Sequence, residues 1–175
     1  ILTAKHHDGF CLFASEHTTH DVESAGTQRD VLKELSMACK AEQMRLGVYL
    51  SPWDRREPLY RSGEAYNEHF RAQLREALTN YGDVAEVWFD GACGEGPNGK
   101  VQVYDWPSFV QVVRKLQPEA CIFSDAGPDV RWCGNERALG SETNWALLRR
   151  DDVYPGYPDY HELGPGHEDG THWVP

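Results

Sequence analysis

Val84-Ala85-Glu86-Val87-Trp88-Phe89-Asp90-Gly91 decides the fold. Residues 84–89 read as a short buried strand, and the run passes straight into a carboxylate and a glycine that permits a sharp turn. Working outward, similar apolar runs stand at Ile1-Leu2-Thr3-Ala4, at Leu46-Gly47-Val48-Tyr49-Leu50 and over 120–123. Between them the period changes to that of a helix. Residues 28–45 place Val31, Leu35, Ala38 and Cys39 on one face, and residues 63–81 do the same with Phe70, Leu74, Ala77, Leu78 and Tyr81. Asp105 is the N-cap of a third helix, with Pro107 in its first turn and Phe109, Val113 and Leu116 as its apolar face. After Ser124 the pattern fades into a tail rich in Gly, Pro and Asp.

This βαβα alternation, with continuously apolar strands, predicts a parallel sheet covered by helices. A doubly wound open sheet and part of an eight-stranded barrel both fit. No GxGxxG or P-loop follows a strand, which counts against a nucleotide-binding open sheet. Polar residues gather where each strand ends: Lys5-His6-His7-Asp8, Ser51-Pro52-Trp53-Asp54, Asp90-Gly91 and Ser124-Asp125. Barrels build their active sites at that face. The expectation is therefore an α/β fold, a partial (β/α)8 TIM-like barrel of about four βα units. The chain opens inside a strand and closes on Trp173-Val174-Pro175, so residues 1–175 read as a fragment of one catalytic domain, truncated at both ends. Two open sheet edges argue against stable folding of the fragment alone.

Composition narrows the function. Hydrophobic residues make up 40% of the chain, with six Trp and eight Tyr, enough for a core. No apolar run approaches the roughly 20 residues of a bilayer span. Seventeen basic against 28 acidic residues leave a net charge of −11, which repels phosphate backbones and anionic lipid, so neither nucleic acid nor membrane is expected as a partner. The five cysteines are odd in number and contain no CxxC pair, so they read as free thiols rather than a disulfide framework or zinc knuckle. Compartment and oligomeric state are not legible.

Asp90, at the tip of a strand among aromatics, is the leading candidate for chemistry. It could pair with Glu136, Asp125, Asp129 or Glu142, and paired carboxylates on barrel loops suit glycoside hydrolysis. The Trp and Tyr content fits, because sugar C–H faces stack on aromatic rings. His6 and His7 could be metal ligands in a metal-dependent hydrolase together with Asp90. Adjacent strand residues point to opposite faces, however, so both imidazoles converge only if the strand has already bent, and no HxH or HExxH spacing occurs. Neutral imidazoles donating hydrogen bonds to substrate hydroxyls fit better, with no metal and no cofactor. Tyr49 is a core aromatic or a pocket residue. Trp53-Asp54-Arg55 is a sugar platform or a packed turn, and the glycine-rich loop 94–99 is a wall of the cleft. His17, His20, His69, His161, His167 and His172 have no evident partner and read as mostly solvated.

Taken in series, Lys5-His6-His7-Asp8-Gly9-Phe10-Cys11-Leu12, Tyr49-Leu50-Ser51-Pro52-Trp53-Asp54, Val87-Trp88-Phe89-Asp90-Gly91-Ala92 and Gly134-Asn135-Glu136 closely resemble the α-L-fucosidases of glycoside hydrolase family 29. The resemblance runs from the first residue to at least Trp145. The loop 94–100 and Gly134-Asn135-Glu136 look like the subgroup that prefers branched α-1,3/1,4-linked fucosides. The resemblance implies that Asp90 is the catalytic nucleophile and Glu136 the acid/base of a retaining, double-displacement exo-fucosidase. It implies that His6, His7 and Tyr49 bind or line the fucose pocket, that Trp88 packs beside the nucleophile, and that Trp53 and Asp54 reach the neighbouring sugar. The implied partner is a fucosylated oligosaccharide. Cys93 stands where the family usually has Asn, and Cys133 where it has Val, so Cys93 could change contacts to the leaving group. Trp88 and Trp132 are expected to form a low-polarity wall that keeps Glu136 protonated. The alternative is a relative that binds fucose without turnover.

Overall fold

Alternation along the strands sorts the side chains onto two faces and so builds the layers. The computed structural model describes residues 1–27, 29–95, 101–133, 140–149 and 165–175. Strands β1 (Leu2–Lys5), β2 (Leu46–Leu50), β3 (Val84–Trp88), β4 (Cys121–Ser124) and β5 (Val130–Arg131) form one parallel sheet in sequence order. Helices α1 (Val31–Ala41), α2 (Glu64–Thr79) and α3 (Trp106–Leu116) lie between the first four strands in the chain. One row of the register runs Leu2, Val48, Val87, Ile122; the next runs Thr3, Tyr49, Trp88, Phe123, Val130. Val48, Val87 and Ile122 are fully buried in one cluster with Leu32 of α1, Phe70, Leu74 and Leu78 of α2, and Phe109 and Val113 of α3. The second row faces away from the helices, because successive strand residues point to opposite sides.

Side-chain caps set the helix starts. Asp30 accepts the Lys33 amide at 2.9 Å, so α1 begins at Val31 rather than at residue 28. Its other oxygen accepts the Tyr81 hydroxyl at 2.7 Å and the Ala14 amide at 3.3 Å, tying the long β1–α1 loop to the end of α2. Asp105 caps α3 by accepting the Ser108 amide at 3.3 Å, as its sequence predicts. Arg71 of α2 donates to Glu64 and Glu68 of its own helix and to Ser108 of α3 at 2.8 Å, joining the two helices.

Two features of the C-terminal part go beyond the sequence pattern. A fifth parallel strand, β5, follows β4 after only residues 125–129. Arg114 of α3 holds Asp129 in that link, and Asp129 accepts the Ile122 amide at 2.7 Å. Beyond it, β6 (Leu147–Leu148) and β7 (His172–Trp173) form an antiparallel pair. Arg131 anchors this pair by donating to the carbonyls of Val174 at 3.1 Å and Trp145 at 2.6 Å. All five cysteines are free thiols, Cys11 buried and Cys133 exposed. Among the described residues no helix is long and apolar enough to cross a membrane.

Among the described residues the deepest charge lies at the end of β1. Lys5 is 0% exposed; its ammonium donates to Gln73 Oε1 at 2.8 Å and meets Asp54 Oδ2 at 3.3 Å. Asp54 Oδ1 accepts the amides of Arg56 at 3.0 Å and Glu57 at 2.9 Å. Burial pushes the Asp54 carboxyl up, but Lys5 and the amide donors outweigh it and hold the group below its usual range. Removing one member of a buried pair strands the other, at a cost of about 3–5 kcal/mol. Asp54→Ala is therefore expected to lower the thermal unfolding midpoint sharply, whereas Asp8→Ala, exposed on the loop after β1, leaves it nearly unchanged; calorimetry of the two variants checks this.

Candidate active site

The site forms where β1, β2 and β3 end. In β3, Trp88 points to the open face and Phe89 into the helix layer, where its ring lies 5.9 Å from Trp106. The alternation therefore returns Asp90 to the open face. Tyr49, one position before the end of β2, is on the same face and pairs in register with Trp88. Its hydroxyl donates to Asp90 Oδ2 at 2.6 Å, while the Ala92 amide donates to Asp90 Oδ1 at 2.7 Å. Both carboxylate oxygens are thus held, and the side chain keeps 28% exposure. Burial first, and then the bond to Asp90, pushes the Tyr49 hydroxyl above its ordinary pKa, so it remains a donor.

His6 and His7 do converge. β1 stops at Lys5 with an irregular register, and the two imidazoles sit with centroids 4.0 Å apart. His6 stacks against Tyr49 at 5.8 Å, and His7 lies against Trp53 at 4.6 Å. His7 Nε2 is 3.8 Å from Asp90 Oδ2, and its Nδ1 is 2.7 Å from Ser51 Oγ. Burial lowers the His7 pKa; Asp90 pulls it upward, His6 and Arg55 push it down, and the net value lies below 6.5. The ring is therefore neutral at pH 7. Trp88 forms the floor, edge-on to Tyr49 at 5.1 Å and to Phe123 at 5.0 Å.

Trp53 closes one side. Its indole N–H donates to the Glu95 carbonyl at 3.3 Å, and the Arg55 guanidinium lies 6.0 Å above the ring. A Cβ on Gly94 would fall 2.0 Å from Trp53 Cζ2, so the absence of a side chain there lets the indole lie against the loop. Asp54, by contrast, does not join this group. It is 3% exposed and committed to Lys5 and two amides, so the expectation that it reaches a neighbouring sugar gives way to a supporting role under the loop. Glu136 lies outside the described residues, as do the loop over 96–100 and His161. Of the other acidic candidates, Asp129 is held by Arg114, Glu142 is exposed, and Asp125 follows the end of β4. Trp132 donates its amide to the Ser124 carbonyl at 2.7 Å. Among the described residues no three His, Cys, Asp or Glu side chains gather as metal ligands would.

Cys93 turns away from the open face. Its thiol donates to the Gln102 carbonyl at 3.0 Å and lies 3.8 Å from the Tyr60 hydroxyl, which in turn is 2.8 Å from the Tyr104 hydroxyl. The histidines read as solvated include one that is not: the His69 side chain is 8% exposed, stacked on Tyr66 at 5.9 Å and 3.7 Å from Glu57. Its helical position, one residue before the core Phe70, was the available signal. Lys5 and Ser51, present in the strand-end clusters but given no role there, and Gln73 are the supporting residues.

A family model described as "Alpha-L-fucosidase" matches residues 1–143. Alpha-L-fucosidase 1 of Arabidopsis thaliana is 47% identical across 100% of this chain and 35% of its own length. A crystal structure of a glycoside hydrolase 29 family member from an unknown rumen bacterium superposes with a TM-score of 0.81 at 43% identity, covering 99% of this chain and 33% of that one. A GH29 fucosidase from Ruminococcus gnavus, solved in complex with fucose, gives a TM-score of 0.77 at 33% identity over 98% of this chain and 40% of its own. The chain thus spans about a third of the length of the curated relatives it matches.

The buried imidazoles give a pH dependence. Burial lowers the pKa of both His7 and His69 below 6.5. As pH falls through 6.5 the unfolded chain takes up protons that the folded chain refuses, so stability drops until the folded-state values are reached. The unfolding midpoint is expected to fall between pH 7.5 and pH 5.5, and to fall less in His69→Gln; equal slopes in the two proteins would contradict the assignment.

Proposed function

The chain belongs to the α-L-fucosidase family, and on that premise we propose that it supplies the nucleophile and the sugar-binding wall of a retaining exo-α-L-fucosidase. The observation that carries the reading is the clamped carboxylate. Asp90 stands at the C-terminal tip of a parallel strand, with one oxygen held by Tyr49 and the other by the Ala92 amide. Such a group is oriented for attack before substrate arrives, which removes an entropic part of the barrier. The consecutive parallel strands, with their polar ends gathered on one side, support reading residues 1–175 as part of one (β/α)8 catalytic barrel.

In the proposed mechanism Asp90 attacks the anomeric carbon of a terminal fucose and forms a covalent fucosyl-enzyme. Glu136, protonated, gives its proton to the leaving oxygen, then takes one from the water that releases fucose, with net retention. This requires the two carboxyl groups to stand about 5–5.5 Å apart, against about 6.5–9.5 Å for inversion. His6 and His7 contact the sugar hydroxyls, Trp88 floors the pocket, and Trp53 stacks on the neighbouring sugar. The substrate is an oligosaccharide carrying α-1,3/1,4-linked fucose at a branch. The position of Trp53 across Gly94 and against His7 supports an extended sugar-binding wall on the leaving-group side. The solved complex of the Ruminococcus gnavus relative with fucose supports the choice of sugar.

The test uses the protein at its full natural length. Free L-fucose is measured from a branched Lewis-type oligosaccharide and from an aryl fucoside, beside Asp90→Ala. Release from the branched substrate that the substitution abolishes is the expected result. Fucose binding without release would indicate a non-catalytic relative, and turnover surviving in Asp90→Ala would remove Asp90 as nucleophile. Tyr49→Phe deletes a hydrogen bond to a charged group, worth about 1.5–3 kcal/mol. It is expected to lower kcat/KM by about 10–100-fold with the fold intact.

A further inference from the structure

We infer that Ser51 fixes the tautomer of His7, so that a bare Nε2 lone pair faces the cleft beside Asp90 and accepts the proton of a substrate hydroxyl. The inference rests on the proposed fucosidase reading for the identity of the substrate, but its atomic basis is a count of hydrogens at one buried oxygen. Ser51 is 0% exposed, and its hydroxyl has one hydrogen and two lone pairs. The Trp53 amide donates to Ser51 Oγ at 3.1 Å and so occupies one lone pair. The Trp53 carbonyl, which can only accept, lies 3.0 Å from the same Oγ and takes the hydroxyl hydrogen. Ser51 also interacts with the Tyr49 hydroxyl, a further acceptor for that hydrogen, so the 2.7 Å contact to His7 Nδ1 is assigned to an Nδ1–H on the other lone pair.

A neutral imidazole carries one N–H. With that hydrogen on Nδ1, Nε2 has none. Nε2 and Asp90 Oδ2 stand 3.8 Å apart, beyond hydrogen-bond length, as suits two acceptors that share no proton. Oδ2 already has its donor in the Tyr49 hydroxyl, so a hydroxyl arriving from the substrate is the group that satisfies Nε2. This reverses, at His7, the sequence-based expectation of an imidazole that donates. The backbone keeps the ring in place: the Ser51 amide donates to the Lys5 carbonyl at 3.0 Å, and the Arg55 amide to the His7 carbonyl at 2.9 Å. The charged and titratable groups around His7 are Asp90 and Asp8, which favour its protonation, and His6 and Arg55, which oppose it; burial opposes it most. Protonation at low pH would put an N–H toward Asp90, removing the acceptor and engaging the nucleophile at once. Ser51 is accordingly a positioning residue that acts through His7.

The protein at full natural length, labelled with 15N at histidine, provides the test. At pH 7.5 the His7 signals, assigned by their loss in His7→Gln, are expected to show protonated Nδ1 and unprotonated Nε2; the reverse pattern in wild type overturns the inference whether or not any variant folds. Ser51→Ala is expected to move the proton to Nε2 and raise KM for fucosides by about tenfold or more, while Ser51→Thr, which keeps the hydroxyl, restores both. Fucosides in which fluorine replaces each ring hydroxyl in turn read the direction of the bond, since fluorine can accept but not donate. One position is expected to lose as much affinity as its deoxy analogue, and a fluoro analogue that recovers affinity at every position contradicts an acceptor at Nε2. Turnover persisting in Asp90→Ala would overturn the reading of the nucleophile and leave the NMR result standing, so the two failures are distinguishable.

Discussion

The ion pair between Lys5 and Asp54 is the constraint on which the site depends. It joins the last residue of β1 to the loop after β2, directly beneath the two histidines and Trp53. Taking an ammonium and a carboxylate out of water costs several kcal/mol per ion, and attraction alone rarely recovers it. Here each charge has additional partners: Gln73 for Lys5, and the Arg56 and Glu57 amides for Asp54. The Gly9 backbone sits against the carboxylate so closely that a Cβ there would meet Oδ1 at 2.4 Å. The arrangement is worth less as net stability than as specificity. It leaves the loops after β1 and β2 one mutual position, and the imidazoles and the indole inherit it.

That constraint also explains which parts of the site could be read in the sequence. Period two along β3 is enough to put Asp90 on the face opposite Phe89, and the same alternation puts Tyr49 beside Trp88. The convergence of His6 and His7 follows from a strand that ends at Lys5, which the run Lys5-His6-His7-Asp8-Gly9 already suggests. The role of Asp54 is different. A carboxylate after Trp53 looks like a sugar ligand until its partner is known, and that partner stands 49 positions earlier. No local pattern encodes such a pairing. A fully buried lysine reads in the sequence as a surface residue, since lysine is almost never buried unless paired.

The same limit applies to the fold. The first four strands and three helices have periodic signatures long enough to recognise, and their boundaries shift by only a few residues because side-chain caps such as Asp30 set the final position. β5 has two residues, β6 and β7 two each, and none carries a period that could be detected. They exist through long-range anchors: the Arg131 side chain donating to carbonyls near residues 145 and 174, and Arg114 holding Asp129. The usual crossover helix between parallel strands is absent between β4 and β5, so the rule that parallel strands need a long connection points away from a strand there.

The electrostatics of the site differ from those of the chain as a whole. A net charge of −11 makes the surface anionic, yet Asp90 is held by uncharged donors, a tyrosine hydroxyl and a backbone amide, with the His7 imidazole 3.8 Å away. The Arg55 guanidinium lies over Trp53. A direct guanidinium partner would stabilise the carboxylate equally before and during attack, and would have to be given up as its charge transfers to the sugar. Neutral donors hold the oxygens in place with less of that loss. Cys93 fits the same design. Its thiol is turned into the Gln102 and Tyr60 network behind the loop, where burial holds the Tyr60 hydroxyl protonated. Cys93 thus packs behind the loop that carries Gly94, which lies against Trp53.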